Sequence, residues 1–295
     1  MKDLNRLFKL PLYLIFLLGF IIFFIAVIPA RAFEISPVKA LFTIDQDISE
    51  TMVIKIKNSE KNDLVFKLNV LGMRQDENGR PVFEKGIDAA ESWVYPENNF
   101  VNIKSGETKS VNFIIKTPAD TVAGSYYLGL TVEPVLEKSD QASLSARLVS
   151  LLTLQVKGLV KESVEIEKFE SLKNIFTEKK LKFDLNLKNN GTIEVLMQGK
   201  IGIRNWRGEE IFSEPIILGN KLLAGSKRVL HPEIILKNNI SLPGLYSAQV
   251  KINYGRTNQI VSAISYVWYF PKWSKIILAV MILFIGFLIF WRRKK

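Results

Sequence analysis

Cysteine is absent from this chain and histidine occurs once, at His231. Without cysteine there are no disulfides, no thiol chemistry and no thiolate metal sites, so any folded part rests on core burial. One histidine, followed by Pro232, leaves a His-based metal site or a Ser-His-Asp triad unsupported, and His231 reads as an ordinary strand residue. Glycines never cluster with phosphate-loop or dinucleotide spacing. Asp76-Glu77-Asn78-Gly79 begins like a calcium loop but lacks the remaining ligands, and Asn78-Gly79 is the commonest hairpin turn. Carboxylates are scattered, and nothing singles out a glycosidase pair. We therefore expect no enzyme, no catalytic residue, no cofactor and no metal.

Acidic residues are scarce at both ends. Of 29, only Asp3 lies outside residues 33–271, whereas ten of the 40 basic residues do. The middle is therefore about +2, and the formal charge of +11 is concentrated in the termini. This excludes a nucleic-acid footprint, and it matches an orientation signal for a bilayer. At the start, Lys2, Arg6 and Lys9 precede an apolar run from Leu10 to Ala30, and Ala30-Arg31-Ala32 fits a leader cleavage site. Residues 1–32 are expected to be a signal peptide leaving Phe33 as the mature start; a retained signal anchor is the other outcome. Near the end, the 16 residues Ile276–Trp291 are apolar and precede Arg292, Arg293, Lys294 and Lys295. As a helix they span about 24 Å against a core of about 30 Å, with Trp273 and Trp291 at the interfaces and Lys275 snorkelling. The expectation is a membrane helix at 272–291, a cytoplasmic tail at 292–295 and the bulk of the chain outside a single-pass cell membrane. A buried core helix is the alternative.

Between the ends, alternation with period two dominates. Met52, Ile54 and Ile56 form one stripe; Leu64, Phe66, Leu68 and Val70 another; Val111, Phe113 and Ile115 a third; Tyr126, Leu128, Leu130 and Val132 a fourth. Leu181, Phe183, Leu185 and Leu187, then Tyr246, Ala248, Val250, Ile252 and Tyr254, do the same further on. Strands with one face on a core require this pattern. The order of landmarks also repeats. Lys57-Asn58-Ser59, Ser105-Gly106 and Ala123-Gly124-Ser125-Tyr126 are echoed by Lys188-Asn189-Asn190-Gly191, Gly225-Ser226 and Leu242-Pro243-Gly244-Leu245-Tyr246. We read an all-β chain of two tandem immunoglobulin-like sandwiches, 33–158 and 159–271, with Pro271 ending the second. A chance likeness between two unrelated β-domains is the alternative.

Among the loops, Glu91–Asn99 is polar and turn-rich yet carries Trp93 and Tyr95. Trp93, Tyr95 and Asn98 are the candidate ligand-binding residues, because aromatic faces stack on sugars while amides bind hydroxyls. The competing reading is that Trp93 fills the first core. Asn190-Gly191-Thr192 and Asn239-Ile240-Ser241 match the glycosylation pattern, with Asn190 already serving as a turn residue.

Ile35-Ser36-Pro37, Lys57-Asn58-Ser59, Asp76–Val82, Thr117-Pro118-Ala119-Asp120, Ala123–Leu130 and the strand closing at Lys157-Gly158 together resemble the WxL-interacting protein family of bacterial cell-surface proteins. Leu128-Gly129 stands where that family carries a Gly-Gly pair. The resemblance implies a peptidoglycan-binding first domain, a second domain in the place of the family's host-binding domain, and one membrane helix with a basic tail.

The expected function is non-enzymatic binding at the cell surface, to peptidoglycan, to another surface protein, or both. The alternative is a chaperone-like assembly factor that lends a strand edge to secreted subunits. A wall-active enzyme ranks last.

Overall fold

The computed structural model describes residues 33–135, 147–236 and 242–293. The leader assigned to 1–32, the sequon at Asn239 and the last two residues of the tail lie outside them. The fold is all-β apart from a short 3-10 turn, Ala89–Ser92, and one helix near the C-terminus. The first half runs β1 (Glu34–Ser36), β2 (Lys39–Ile44), β3 (Ser49–Lys57), β4 (Leu64–Gln75), β5 (Pro81–Glu84), β6 (Val94–Pro96), β7 (Phe100–Ile103), β8 (Thr108–Lys116), β9 (Gly124–Pro134) and β10 (Leu148–Val156). The second half runs β11 (Val164–Ser171), β12 (Ile175–Phe176), β13 (Lys180–Asn189), β14 (Met197–Arg204), β15 (Glu210–Ile216), β16 (Lys227–Leu230), β17 (Glu233–Ile235), β18 (Gly244–Tyr254) and β19 (Gln259–Tyr269), followed by α1 (Ser274–Arg293).

Each half folds as two facing sheets. In the first they are β1-β3-β8-β6 and β2-β10-β9-β4-β5, with β7 beside β4; in the second they are β11-β13-β16, with β17 extending along β13, and β12-β19-β18-β14-β15. All ladders are antiparallel except two. In each half the opening strand switches sheets and its continuation pairs in parallel with the closing strand, β2 on β10 and β12 on β19. Every stripe read from the sequence faces a core: Ile54, Phe66, Phe113, Leu128 and Leu154 in one cluster, and Phe183, Leu185, Ala248, Val250 and Val267 in the other. The expected boundary at 158/159 falls between β10 and β11.

The repeat extends to individual atoms. Asn58 is fully buried; its Nδ2 donates to the carbonyls of Asn62 (2.8 Å) and Ile103 (3.0 Å), and its Oδ1 accepts from the Glu60 N–H. Asn189 is equally buried and donates to Ile193 (2.8 Å) and Leu222 (3.0 Å), accepting from the Gly191 N–H. Gly106 and Gly225, both at positive φ, donate to the backbone carbonyls of these asparagines. The Tyr126 hydroxyl donates to Val122 O, and the Tyr246 hydroxyl to Leu242 O. In each sandwich a fully buried amide thus ties the turn after its own strand to a backbone carbonyl far along the chain, with its own polar atoms satisfied, the condition for burying it at all.

Two expectations need correction. His231 does not sit inside one strand. The ladder breaks at His231-Pro232 into β16 and β17, because Pro232 has no N–H to donate, although its carbonyl still accepts from Phe183 N. His231 is exposed there, with Nδ1 2.9 Å from Asp184 Oδ1. Second, β9 does not alternate cleanly. Gly129 and Thr131 are buried on its other face, where the Phe83 ring lies so close to Gly129 that an added Cβ would be 2.5 Å from it.

Asn58→Ala and Asn189→Ala should each destabilise the protein by about 1–3 kcal/mol, since each removes the two donated bonds and the accepted bond of a fully buried amide. Thermal unfolding in detergent measures this; changes below about 0.5 kcal/mol would contradict the assigned role.

Candidate functional site: the domain joint and an uncovered strand edge

The two sandwiches meet through a hydrogen-bonded joint. The hairpin turn at Asp76–Arg80 forms as expected. Asp76 Oδ1 accepts from the N–H groups of Asn78 and Arg80, and Gly79 adopts a φ of 81°. That turn docks on the second sandwich. Val229 N–H donates to Glu77 O (2.8 Å), and the Arg228 guanidinium lies against Gly79, where any side chain would collide with it. Arg228 is only 2% exposed. It donates to Leu218 O (2.6 Å) and reaches Gln75 Oε1 (3.4 Å), while Gln75 Nε2 donates to Lys221 O.

Beside it lies a second cluster. Tyr127 OH donates to Glu194 Oε2 (3.0 Å), and Lys221 Nζ and Gln155 Nε2 reach Glu194 Oε1. Ser125 N–H donates to Thr192 O across the same seam, so the sequon at Asn190 lies at the joint, with its own amide on Glu165. Burial and the Glu194 charge push the Tyr127 hydroxyl well up, keeping it protonated as a donor. Burial also acts to raise Glu194, but hydrogen bonds from its own backbone N–H, Tyr127 and Lys221 prevail and hold it below its ordinary value. Between the sandwiches the joint leaves a cleft of about 790 Å³, lined by Met73, Gln75, Asp88, Tyr127, Ala224 and Lys227 among others. No group of three or more His, Cys, Asp or Glu suited to a metal occurs among the described residues.

The three sequence-derived ligand candidates, Trp93, Tyr95 and Asn98, differ in where they sit. Trp93, at the end of the 3-10 turn, packs on the first core with its ring 4.6 Å from that of Tyr126. Tyr95, in the edge strand β6, and Asn98, beyond it, remain exposed.

A different feature stands out in the second sandwich. β10 is covered by β2 from Leu151 to Val156, whereas β12 covers β19 only at Trp268 and Tyr269. Trp268 N–H donates to Asn174 O and Phe270 N–H to Phe176 O, so even-numbered amides in this stretch point away from β18. By the same alternation Ile260, Ser262, Ile264 and Tyr266 turn their N–H and C=O groups outward, and they have no backbone partner among the described residues. β11 runs alongside without forming a ladder; Ser171 N–H reaches only the Ser265 hydroxyl (3.1 Å). The same even positions carry apolar side chains into solvent: Ile260, Ile264, Tyr266 and Trp268 are 45–66% exposed. Other edge strands are short or broken by proline or charge, as with Pro81, Pro96, Pro215 and Pro232. From Gln259 to Tyr269 there is neither. An apolar, unprotected edge is a template for strand pairing. Sequence reading did not find this edge; the missing charge and proline were the available signal.

No family model matches the chain, and no curated protein matches it in sequence. Similar solved structures include a chain of the chaperone–tip adhesin complex of CFA/I fimbriae biogenesis (10% identity, 79% of this chain and 98% of that one, TM-score 0.46). They also include the class 5 fimbriae chaperone CfaA (10%, 79% and 99%, TM-score 0.45). A third is a chain of the CsuC–CsuE chaperone–tip adhesion subunit complex of Acinetobacter baumannii (16%, 68% and 89%, TM-score 0.39). All three TM-scores are below 0.5, and the function argued below rests on this chain's own geometry.

Because the folded-state value of Glu194 lies below the ordinary 4.5, its contribution is present above that pH and is lost as pH falls through the lowered value. Glu194→Gln should therefore lower the unfolding temperature at pH 7 and lose less further stability than wild type between pH 5 and pH 3. Parallel acid curves would contradict this.

Proposed function

We propose that this protein is a membrane-tethered, non-enzymatic binding protein that holds an extended segment of another exported protein along the β19 edge, as an assembly factor would. The observation that carries this is the combination of unpaired outward amides at Ile260–Tyr266 with an exposed apolar stripe at the same positions. Main-chain bonds to such an edge give affinity, and the alternating side chains give selectivity. The tether is α1, which is long and apolar enough to cross a membrane. Its 20 residues correspond to about 30 Å, a closer match to a hydrocarbon core than the apolar run alone. Arg292 and Arg293 at its end favour the sandwiches on the outer face.

We further propose that the chain belongs to the WxL-interacting family, which it resembles, and that it stands at the cell surface. Peptidoglycan binding by the first sandwich would rest on Tyr95 and Asn98, since Trp93 is committed to the core, so a protein partner ranks above wall polymer.

Ser262→Pro tests the edge directly. The Ser262 N–H faces away from β18, so proline there blocks pairing while sparing the existing ladder. With a photo-crosslinker at Tyr266 in native membranes, wild type should give a discrete adduct to another protein, and Ser262→Pro should reduce it at least tenfold with unfolding unchanged. Undiminished crosslinking in that variant, or adducts only to a second copy of the chain, would contradict the proposal. Independently, Ile264→Lys should reduce the adduct to a similar extent, because Ile264 is half-exposed and contributes no core packing.

A further inference from the structure

The β14–β15 turn is built like the β4–β5 turn. Asn205 Oδ1 accepts from the N–H groups of Arg207 and Glu209, Gly208 N–H donates to Asn205 O, and Gly208 has a φ of 83°. The first turn carries Glu77-Asn78 and docks on the next body along the chain, the second sandwich. The second carries Trp206-Arg207, and no body among the described residues covers it: Trp206 is 59% exposed, with the Arg207 guanidinium 4.8 Å from its ring centroid.

The ladders fix which end of the sandwich this is. Arg204 pairs with Ser247, and Gly244 pairs with Tyr269, the last residue of β19. A Cβ on Gly244 would lie 3.4 Å from Trp206 Cδ1, so the indole rests at that end. Only Pro271, Lys272 and Trp273 separate Phe270 from the start of α1. Three residues span at most about 10 Å, and the headgroup layer is about 5–8 Å deep on each side. Trp206, Leu242, Phe270 and Trp273 are all exposed around the root of the helix, with Arg207, Lys272 and Lys275 beside them. Indoles at the water–lipid boundary and guanidinium or ammonium groups on lipid phosphates are what such a layer accommodates.

We propose that the Asn205–Glu209 turn docks on the bilayer interface, with Trp206 in the headgroup layer and Arg207 on lipid phosphates, so that the second sandwich stands braced on the membrane at two points. This rests on α1 crossing the membrane. Bracing would hold β19 at a fixed height and tilt, with its edge running up from the membrane surface.

The absence of native cysteine makes the test clean. Full-length protein in liposomes of phosphatidylcholine and phosphatidylglycerol would carry one bimane label at Arg207→Cys, at Thr257→Cys in the turn at the opposite end of β19, or at Leu288→Cys in α1. Quenching by headgroup-nitroxide lipid should be at least threefold stronger at 207 than at 257, and mid-chain nitroxide should quench 288. Adding Trp206→Ser to the 207-labelled protein should remove most of the excess. Equal, weak quenching at 207 and 257 with strong quenching at 288 would overturn the docking while leaving the span intact. No quenching at 288 would overturn the span, and the docking with it.

Discussion

A strand inside a sheet has two hydrogen-bonding sides, and for most of its length β19 uses one. Its core face packs through Val267 and Tyr269, with Val261 and Ala263 partly buried beside them, and its pairing to β18 is continuous, so the strand itself is held firmly. The vacancy follows from the length of β12. Two residues cover what six cover at the equivalent place in the first sandwich. Backbone groups left to water carry no penalty, but with an apolar stripe beside them they gain by pairing. On the proposed reading, the joint, the helix α1 and the Asn205–Glu209 turn all bear on how that edge is presented.

The chain uses one plan twice and changes it where the neighbours differ. Asn58 and Asn189, Gly106 and Gly225, Tyr126 and Tyr246, and the turns at Asp76 and Asn205 occupy matching places with matching hydrogen bonds. What differs is the exposed chemistry of the turns and the cover on the closing strand. In the first sandwich the turn meets Arg228 and Val229, and the closing strand is sealed by β2. In the second, the turn presents Trp206-Arg207 and the closing strand stays open. A hydrogen-bonded joint built from Arg228, Gln75, Tyr127 and Glu194 connects the two copies by more than the linker between β10 and β11.

Strands were legible because period-two burial writes itself into the order of residues: Met52 to Ile56 and Leu181 to Leu187 are buried as their spacing requires. The repeat was legible as asparagine, glycine and tyrosine landmarks. The reason for it was not, since it lies in carbonyls contributed by Ile103 and Leu222, far along the chain. Gly129 gave no hint that Phe83 covers it, nor Trp93 that Tyr126 receives it, because both partners come from other strands. The joint was illegible for the same reason: Gln75 and Arg228 are 153 positions apart. The open edge was half-legible. Its lack of charge and proline is plain in the sequence, whereas the shortness of β12 emerges only once strands are paired.

Residue-resolved hydrogen exchange of the full-length protein in detergent tests the central claim most directly. The account predicts a sawtooth along β19, with Ile260, Ser262, Ile264 and Tyr266 exchanging orders of magnitude faster than Val261, Ala263, Ser265 and Val267, while consecutive amides of β10 from Leu151 to Val156, which turn alternately to β2 and β9, are all protected. Uniform slow exchange along β19 would mean that its outer side is already paired, and would contradict the account.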